Sequence, residues 1–371
     1  MTIQDNDPNK RDGQKEKKPN KGLRVFLKVF LVSFVFLSAG IVFGAVNFYR
    51  NISPPEIPVT QPIIAIDTAE PIMLDDEGDE DETVSVAALT APLRFLNHDR
   101  KELFFTFLIV GLNEGNNANT IIVASYDGVN HEANLISIPR DSLINVNRAN
   151  RKLSGSFLNG MIGDGGKEGG IAQVQREVMS VIGFVPDFYV IFNYDAFKEV
   201  IDAVGGVEIY VPFHMRYDDP FQDLHIDIRP GLQHMDGETA LLFARFRESN
   251  PGFRPITDYQ RIENQQTVIN AVLDNLVHPA SILRIAEFIE IFNKNVYTNL
   301  IFDDMVWFAS QYTVMDGLDA VHFHTMPTDG SSGAPMWYEF LYAPGIVRVV
   351  NATVNPFTED IGIGDLDIIR N

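Results

Sequence analysis

The hydrophobic positions change period several times along the chain, and each change marks an element. Phe104–Val110 and Thr120–Ser125 are short, nearly continuous apolar runs, the pattern of buried strands. Asp127-Gly128 is a turn signal leading into Asn134–Ile138, so the last two of these strands are expected to pair as a hairpin. Ile171–Ile182 reads as a helix, Phe188–Phe192 as a strand, Asp195–Val204 as a helix and Val207–Val211 as a strand. Ala244-Arg245-Phe246-Arg247 alternates polar and apolar, which predicts a strand with both arginines on one face. From Asp258 onward, Ile262, Ile269, Leu273 and Leu276 recur at helical, core-facing spacing. Past Pro279, Ile282–Phe292 and Asp304–Tyr312 read as amphipathic helices, Ala320–His324 as a strand and Pro344–Val354 as a last helix. Strands alternating with helices predict an α/β fold, with helices on both faces of a sheet. The globular part is expected over residues 84–354, followed by an acidic tail at 355–371.

Residues 1–24 are polar with a basic excess and read as a tail. Val29–Tyr49 then carries no charge. As a helix at ~1.5 Å per residue it would reach about 30 Å, enough to cross a bilayer. Residues 25–49 are therefore read as a transmembrane helix. The basic flank, Arg24 and Lys28, predicts a cytoplasmic N-terminus and an extracytoplasmic C-terminal domain, a single-pass protein of the cell membrane. The competing signal-peptide reading fits less well, because the apolar run is long and no A-x-A site follows it. Residues 50–83 form a linker stiffened by prolines and closed by the acidic run Asp75–Glu82. That run lacks the alternation of a calcium loop and reads as a solvated spacer.

Composition narrows the function classes. The 371 residues hold 29 Lys and Arg against 50 Asp and Glu, a formal net charge of -21. That balance argues against a nucleic-acid partner, whose binding rests on cations. There is no cysteine, which excludes disulfides and thiol catalysis. The Gly-rich stretch Gly160–Gly170 reads as a loop but not as a phosphate loop. Met161 stands where the first glycine is needed, and Glu168 follows Lys167 in place of Ser or Thr. His322 and His324 share a strand face, but no third ligand accompanies them, so a packed or solvated pair is the better reading.

The stretch richest in candidate chemistry is Pro230–Gln266. Asp258, Arg261 and Gln265 fall on one helical stripe, near Arg245 and Arg247. Arginine forks and a helix N-terminus both suit phosphate oxygens. Surface ion pairing with acids such as Glu248 accounts for the same spacing about as well.

This stretch resembles the LytR-CpsA-Psr family of bacterial cell-envelope proteins. PGLQHMDGETAL, then R-x-R at Arg245 and Arg247, then Asp258, Arg261, Gln265 and Gln266 match its motifs in order. Upstream, Ser137-Ile138-Pro139-Arg140-Asp141-Ser142 looks like its SIPRD[ST] motif, and Phe197–Val207 with Val211-Pro212 like its F-x-x-[LI]-[VI]-D-x-[LVI]-GG-[VI]…VP run. The resemblance covers roughly Phe104–Val277, and several long motifs in register are a specific signal. It implies a central mixed sheet between helices. It implies a membrane-anchored phosphotransferase that moves a glycopolymer phosphate from a polyprenyl-pyrophosphate lipid to peptidoglycan. On that footing Arg140, Arg245, Arg247 and Arg261, with Gln265, would bind the pyrophosphate. Asp141 would orient an arginine, and Asp258 would be the base for the acceptor hydroxyl or else a helix N-cap.

Two departures from the family pattern matter. The family holds magnesium on two aspartates, and here those places are Asn113 and Asn119. An amide oxygen can ligate a hard cation but brings no charge. Two function classes therefore remain: an active transferase, and a non-catalytic protein of the same fold that binds polyprenyl phosphate or glycan.

Overall fold

The computed structural model describes residues 53–58, 99–163, 165–221, 223–276, 290–292, 294–312, 314–332 and 336–369. The expected transmembrane helix, most of the linker and most of Ile282–Phe292 lie outside these residues. Among the described residues no helix is long and apolar enough to cross a membrane.

β1 (Phe104–Leu112), β2 (Ala118–Asp127) and β3 (Glu132–Ser137) form an antiparallel meander, with the expected hairpin between β2 and β3. The following chain forms α1 (Ser156–Gly163) and α2 (Lys167–Ile182). β4 (Phe188–Phe192) then returns parallel to β1. The chain continues through α3 (Tyr194–Ala203), β5 (Val207–Val211), β6 (Met215–Asp219), β7 (Leu224–Ile228), β8 (Gly231–Met235), α4 (Gly237–Arg245) and α5 (Asp258–Leu276). Further on come β9 (Val296–Thr298), α6 (Phe302–Tyr312), β10 (Val321–Thr325), β11 (Thr328–Ser332), β12 (Tyr338–Leu341) and α7 (Ala343–Thr353). The main sheet has six strands in the order β10-β3-β2-β1-β4-β9. β10 lies parallel to β3 and β9 antiparallel to β4, so the sheet is mixed.

Strand alternation divides the core between the two faces of this sheet. Ile121 and Val123 of β2 pack with Val174, Val178, Ile346 and Val350 from α2 and α7. Ile122 and Ala124, one residue out of phase, face Ile269 and Leu273 of α5. A second cluster gathers β5 to β8 with α3, α4 and α5, around Ile209, Met235, Phe243 and Phe246.

Three expectations are corrected. Ala244–Arg247 is not a strand: Arg245 is the last residue of α4, and Phe246 ends the helix in an extended conformation (φ -56, ψ 127). Asp236 starts that helix by accepting from Thr239 N at 2.8 Å, and Ala240, Leu241, Phe243 and Ala244 bury its inner face. A four-residue alternation across a helix end is too short to overrule those signals. Gly160–Gly170 is not one loop either, since α1 and α2 occupy most of it. The acidic stretch after Thr353 is packed through residue 369 and is not a free tail. Asn355, Ile361, Leu366 and Ile368 are buried, and Phe357 bridges to Arg100.

Glycine at two places lets helices meet. A Cβ on Gly160 would stand 2.2 Å from the carbonyl oxygen of Gly169, where α1 crosses α2. A Cβ on Gly237 would stand 2.2 Å from Lys198 O, where the start of α4 meets α3. Helix propensity alone would have Gly160→Ala stabilise the protein by roughly 0.5–1 kcal/mol. We expect the reverse, a loss of about 1–3 kcal/mol from overpacking, read as a lower urea midpoint at unchanged slope.

Candidate active site

Four segments bring four arginines to one cavity of about 700 Å³. Arg140 follows β3, Arg245 ends α4, Arg247 lies in the extended chain beyond it, and Arg261 sits in the first turn of α5. All four line the cavity, with Gln265 one turn beyond Arg261. The rest of the lining is largely apolar, with Ile122, Leu135, Val200, Leu241, Val268 and Ile269 among it. A cavity that combines clustered guanidinium groups with apolar walls suits an amphiphile with an anionic head.

α5 begins with a reciprocal cap. Thr257 Oγ1 accepts from Gln260 N at 3.2 Å, and Gln260 Oε1 accepts from Thr257 N at 3.1 Å. Asp258 is thereby left free of capping duty. Its Oδ1 lies 2.7 Å from Arg261 Nη2 and 3.8 Å from Arg247 Nε. Arg261 is only 5% exposed. Burial, joined by the like charge of Arg140, brings its guanidinium down to about 10, with Asp258 opposing the fall. Among the described residues Arg140 Nε and Arg261 Nε are buried and have no hydrogen-bond partner. Unmatched buried donors next to clustered positive charge are the complement of an oxyanion.

A residue that the sequence did not single out ties two of the arginines together. Tyr194, at the start of α3, lies under the Arg245 guanidinium at 4.8 Å from its ring centre. Its hydroxyl accepts from Asn119 Nδ2 at 3.2 Å, and Asn119 Oδ1 accepts from Arg140 Nη1 at 3.0 Å. α3 and α4 run so that the start of one meets the end of the other, and the close contact at Gly237 sets their spacing. No local sequence signal marks Tyr194, because its role comes from this crossing.

Asp141 forms its ion pair with Lys152 Nζ at 2.8 Å, and its charge also acts on Arg261. Lys152 follows the Ser137–Ser142 run in the chain but belongs to no motif that marks it. The reading of the arginines as ordinary surface pairs also loses ground: Glu248 lines the cavity, but the acid that pairs with Arg247 and Arg261 is Asp258.

Asn113 and Asn119 both line the cavity, and both amide oxygens already accept hydrogen bonds. Asn113 Oδ1 accepts from Gly115 N at 3.0 Å and Asn117 N at 2.8 Å, closing its own turn. Asn119 Oδ1 is taken by Arg140, whose positive charge would also repel a metal ion. The described residues hold no group of three or more His, Cys, Asp or Glu placed to bind a metal. The donor set does not fit a magnesium ion. His324 Nε2 lies 3.1 Å from Asn134 Oδ1, an ordinary packing partner.

The chain has relatives among known proteins. The chain is 28% identical over 209 residues to the polyisoprenyl-teichoic acid--peptidoglycan teichoic acid transferase TagV of Bacillus subtilis, covering 54% of this chain and 51% of that protein. It thus spans about half the length of that relative. TagU of Bacillus licheniformis, a transferase of the same description, is 24% identical over 248 residues, 65% of this chain and 73% of its own length. The crystal structure of B. subtilis TagV superposes with a TM-score of 0.54 at 23% identity, over 66% of this chain and 94% of that one, and so shares the fold. The family model described as LytR_cpsA_psr family matches residues 76–353, the span that holds all four arginines and both asparagines, and the chain therefore belongs to that family.

Proposed function

We propose that this protein transfers a glycopolymer phosphate from a polyprenyl-pyrophosphate lipid to peptidoglycan. The observation that carries the reading is the convergence of Arg140, Arg245, Arg247 and Arg261 in the lining of a largely apolar cavity. The polyprenyl chain occupies the apolar wall, and the pyrophosphate meets the guanidinium groups, including the unpartnered Nε atoms of Arg140 and Arg261. Asp258 acts as base. Its carboxylate is held against Arg261 and faces Arg247, within the guanidinium cluster. The acceptor hydroxyl loses its proton to Asp258 and its oxygen bonds to the phosphorus that bears the glycopolymer. The bond from that phosphorus to the bridging oxygen breaks, and polyprenyl phosphate leaves. The arginines bear the charge that develops on the phosphoryl oxygens. Teichoic acid transfer by TagV and TagU supports the substrate class.

A second reading, a polyprenyl-phosphate or glycan binder without transfer, is favoured by one observation. Both family aspartates are amides here, with their oxygens already engaged. Release of polyprenyl phosphate when acceptor glycan is added to lipid-loaded protein separates the two readings.

The transfer reading requires the arginines to bind the diphosphate. Arg245→Ala and Arg247→Ala should each weaken binding of a polyprenyl-diphosphate analogue by roughly 1.5–3 kcal/mol, the range for a charged hydrogen bond. Unchanged affinity in titration calorimetry would sink the assignment.

Phosphate binding here is also proposed to be independent of magnesium. Amides at positions 113 and 119 lack the mutual repulsion that a dication relieves between carboxylates. Calorimetry should show weak magnesium binding by the wild type and a tighter site in the Asn113→Asp, Asn119→Asp double variant. Equal, tight binding by both would mean that other ligands complete a metal site.

We place the catalytic domain outside the cytoplasmic membrane, tethered by residues 25–49, on the strength of the basic flank, Arg24 and Lys28, before the uncharged run Val29–Tyr49. Protease added to intact spheroplasts should remove the C-terminal domain. Protection until lysis would reverse the orientation.

A further inference from the structure

Asp258 marks a boundary. Its partners Arg247 and Arg261 line the apolar cavity, whereas Asp258 itself does not. On its other side the chain presents acceptors and aromatic rings. Glu339 of β12 is stitched to the segment after Arg140 through Glu339 N to Asp141 O at 3.0 Å and Leu143 N to Glu339 O at 2.9 Å. Its carboxylate feels both Asp258 and Asp141. Burial pushes that carboxyl above its ordinary range and the two aspartates push it further, against a hydrogen bond from Trp337.

The rings beside it are exposed. Trp337 is 48% exposed, and its Nε1 donates to Glu339 Oε1 at 3.3 Å. Tyr259, next to Asp258 in the chain, is 41% exposed, and its hydroxyl lies 2.6 Å from Thr328 Oγ1. Thr328 pairs with Leu341 across the β11–β12 hairpin, so the start of α5 and the strand that carries Glu339 are held together. Exposed aromatic faces at fixed positions, with carboxylates at their edges, complement one ligand class well. A pyranose offers a C–H face to a ring and hydroxyl donors at its rim. An anionic lipid surface would meet repulsion from the Glu339 carboxylate. A neutral sugar would not.

We propose that Trp337, Tyr259 and Glu339 form the acceptor-sugar subsite, in which the rings stack on a pyranose and Glu339 accepts from one of its hydroxyls. The assignment rests on the transfer reading above, with Asp258 as base. It places the acceptor opposite the lipid, with the arginines and Asp258 between them. The attacking hydroxyl then reaches Asp258 without crossing the apolar cavity.

Two ligands tested on the same full-length protein separate this subsite from the transfer reading. A β-1,4-linked N-acetylglucosamine tetrasaccharide reports the sugar subsite, and geranylgeranyl diphosphate reports the arginine site. Trp337→Ala and Glu339→Gln should each weaken tetrasaccharide binding about tenfold or more, as loss of an aromatic or charged anchor does. Affinity for geranylgeranyl diphosphate should stay within about twofold, which also shows that the variants are folded. Trp337→Tyr should recover most of the sugar affinity. No tetrasaccharide binding by the wild type, or equal binding by wild type and both variants, overturns the subsite. If the diphosphate fails to bind the wild type while the sugar still depends on Trp337, the donor assignment fails and the subsite stands as a glycan-binding site.

Discussion

A buried guanidinium surrounded by other guanidinium groups is the constraint on which this site depends. Arg261 is almost fully withdrawn from water, and Arg140 and Arg247 add like charge beside it. Asp258 is the one acid in ion-pair contact with Arg261 among the described residues, and Arg247 approaches the same carboxylate oxygen. The one carboxylate in ion-pair contact with Arg261 faces three clustered guanidinium groups, which favours further negative charge at that point. A diphosphate supplies that charge and the acceptors that two buried Nε atoms lack. The strain of crowding like charges is thus largest in the empty pocket and is relieved by ligand, which favours binding of an oxyanion over a neutral group.

Several local arrangements follow from that need. Thr257 and Gln260 cap α5, so Asp258 can turn its carboxylate to the arginines instead of to backbone N–H groups. Tyr194 holds Arg245 by its ring and Arg140 through Asn119, which fixes two long side chains that would otherwise lose much rotamer freedom on binding. The closeness of α3 and α4 at Gly237 makes that bridge reachable. The asparagines belong to the same arrangement. An aspartate at 119 would pair with Arg140 and draw its charge away from a ligand, whereas an amide positions the guanidinium and leaves its charge unspent.

Much of this was open to a reader of the sequence, and the limits have physical causes. Apolar periodicity located β1, β2, β4, β5, α2, α3, α5 and α6 because each buries one face, and burial imposes its own period on the residues. The motif residues Arg140, Arg245, Arg247, Asp258, Arg261 and Gln265 were named in advance, and they do lie together. The error at Arg245 came from a four-residue alternation, which fits a helix end followed by extended chain as well as it fits a strand. The packed segment from Asn355 was misread because its acids are exposed while a few apolar residues, Ile361 and Leu366 among them, fill the core.

The sequence by itself determined the α/β class, through the periods that burial imposes, and its resemblance to the family motifs picked out the arginine set. Tertiary structure decided the rest. It chose Lys152 as the partner of Asp141, Tyr194 as the prop between two arginines, and Glu339 as the neighbour of Asp258. Each of these pairings joins segments that the chain separates by many residues. Contact between such segments is set by which faces pack on a shared sheet and by how closely glycine lets helices cross, and neither is written in the spacing of any one stretch.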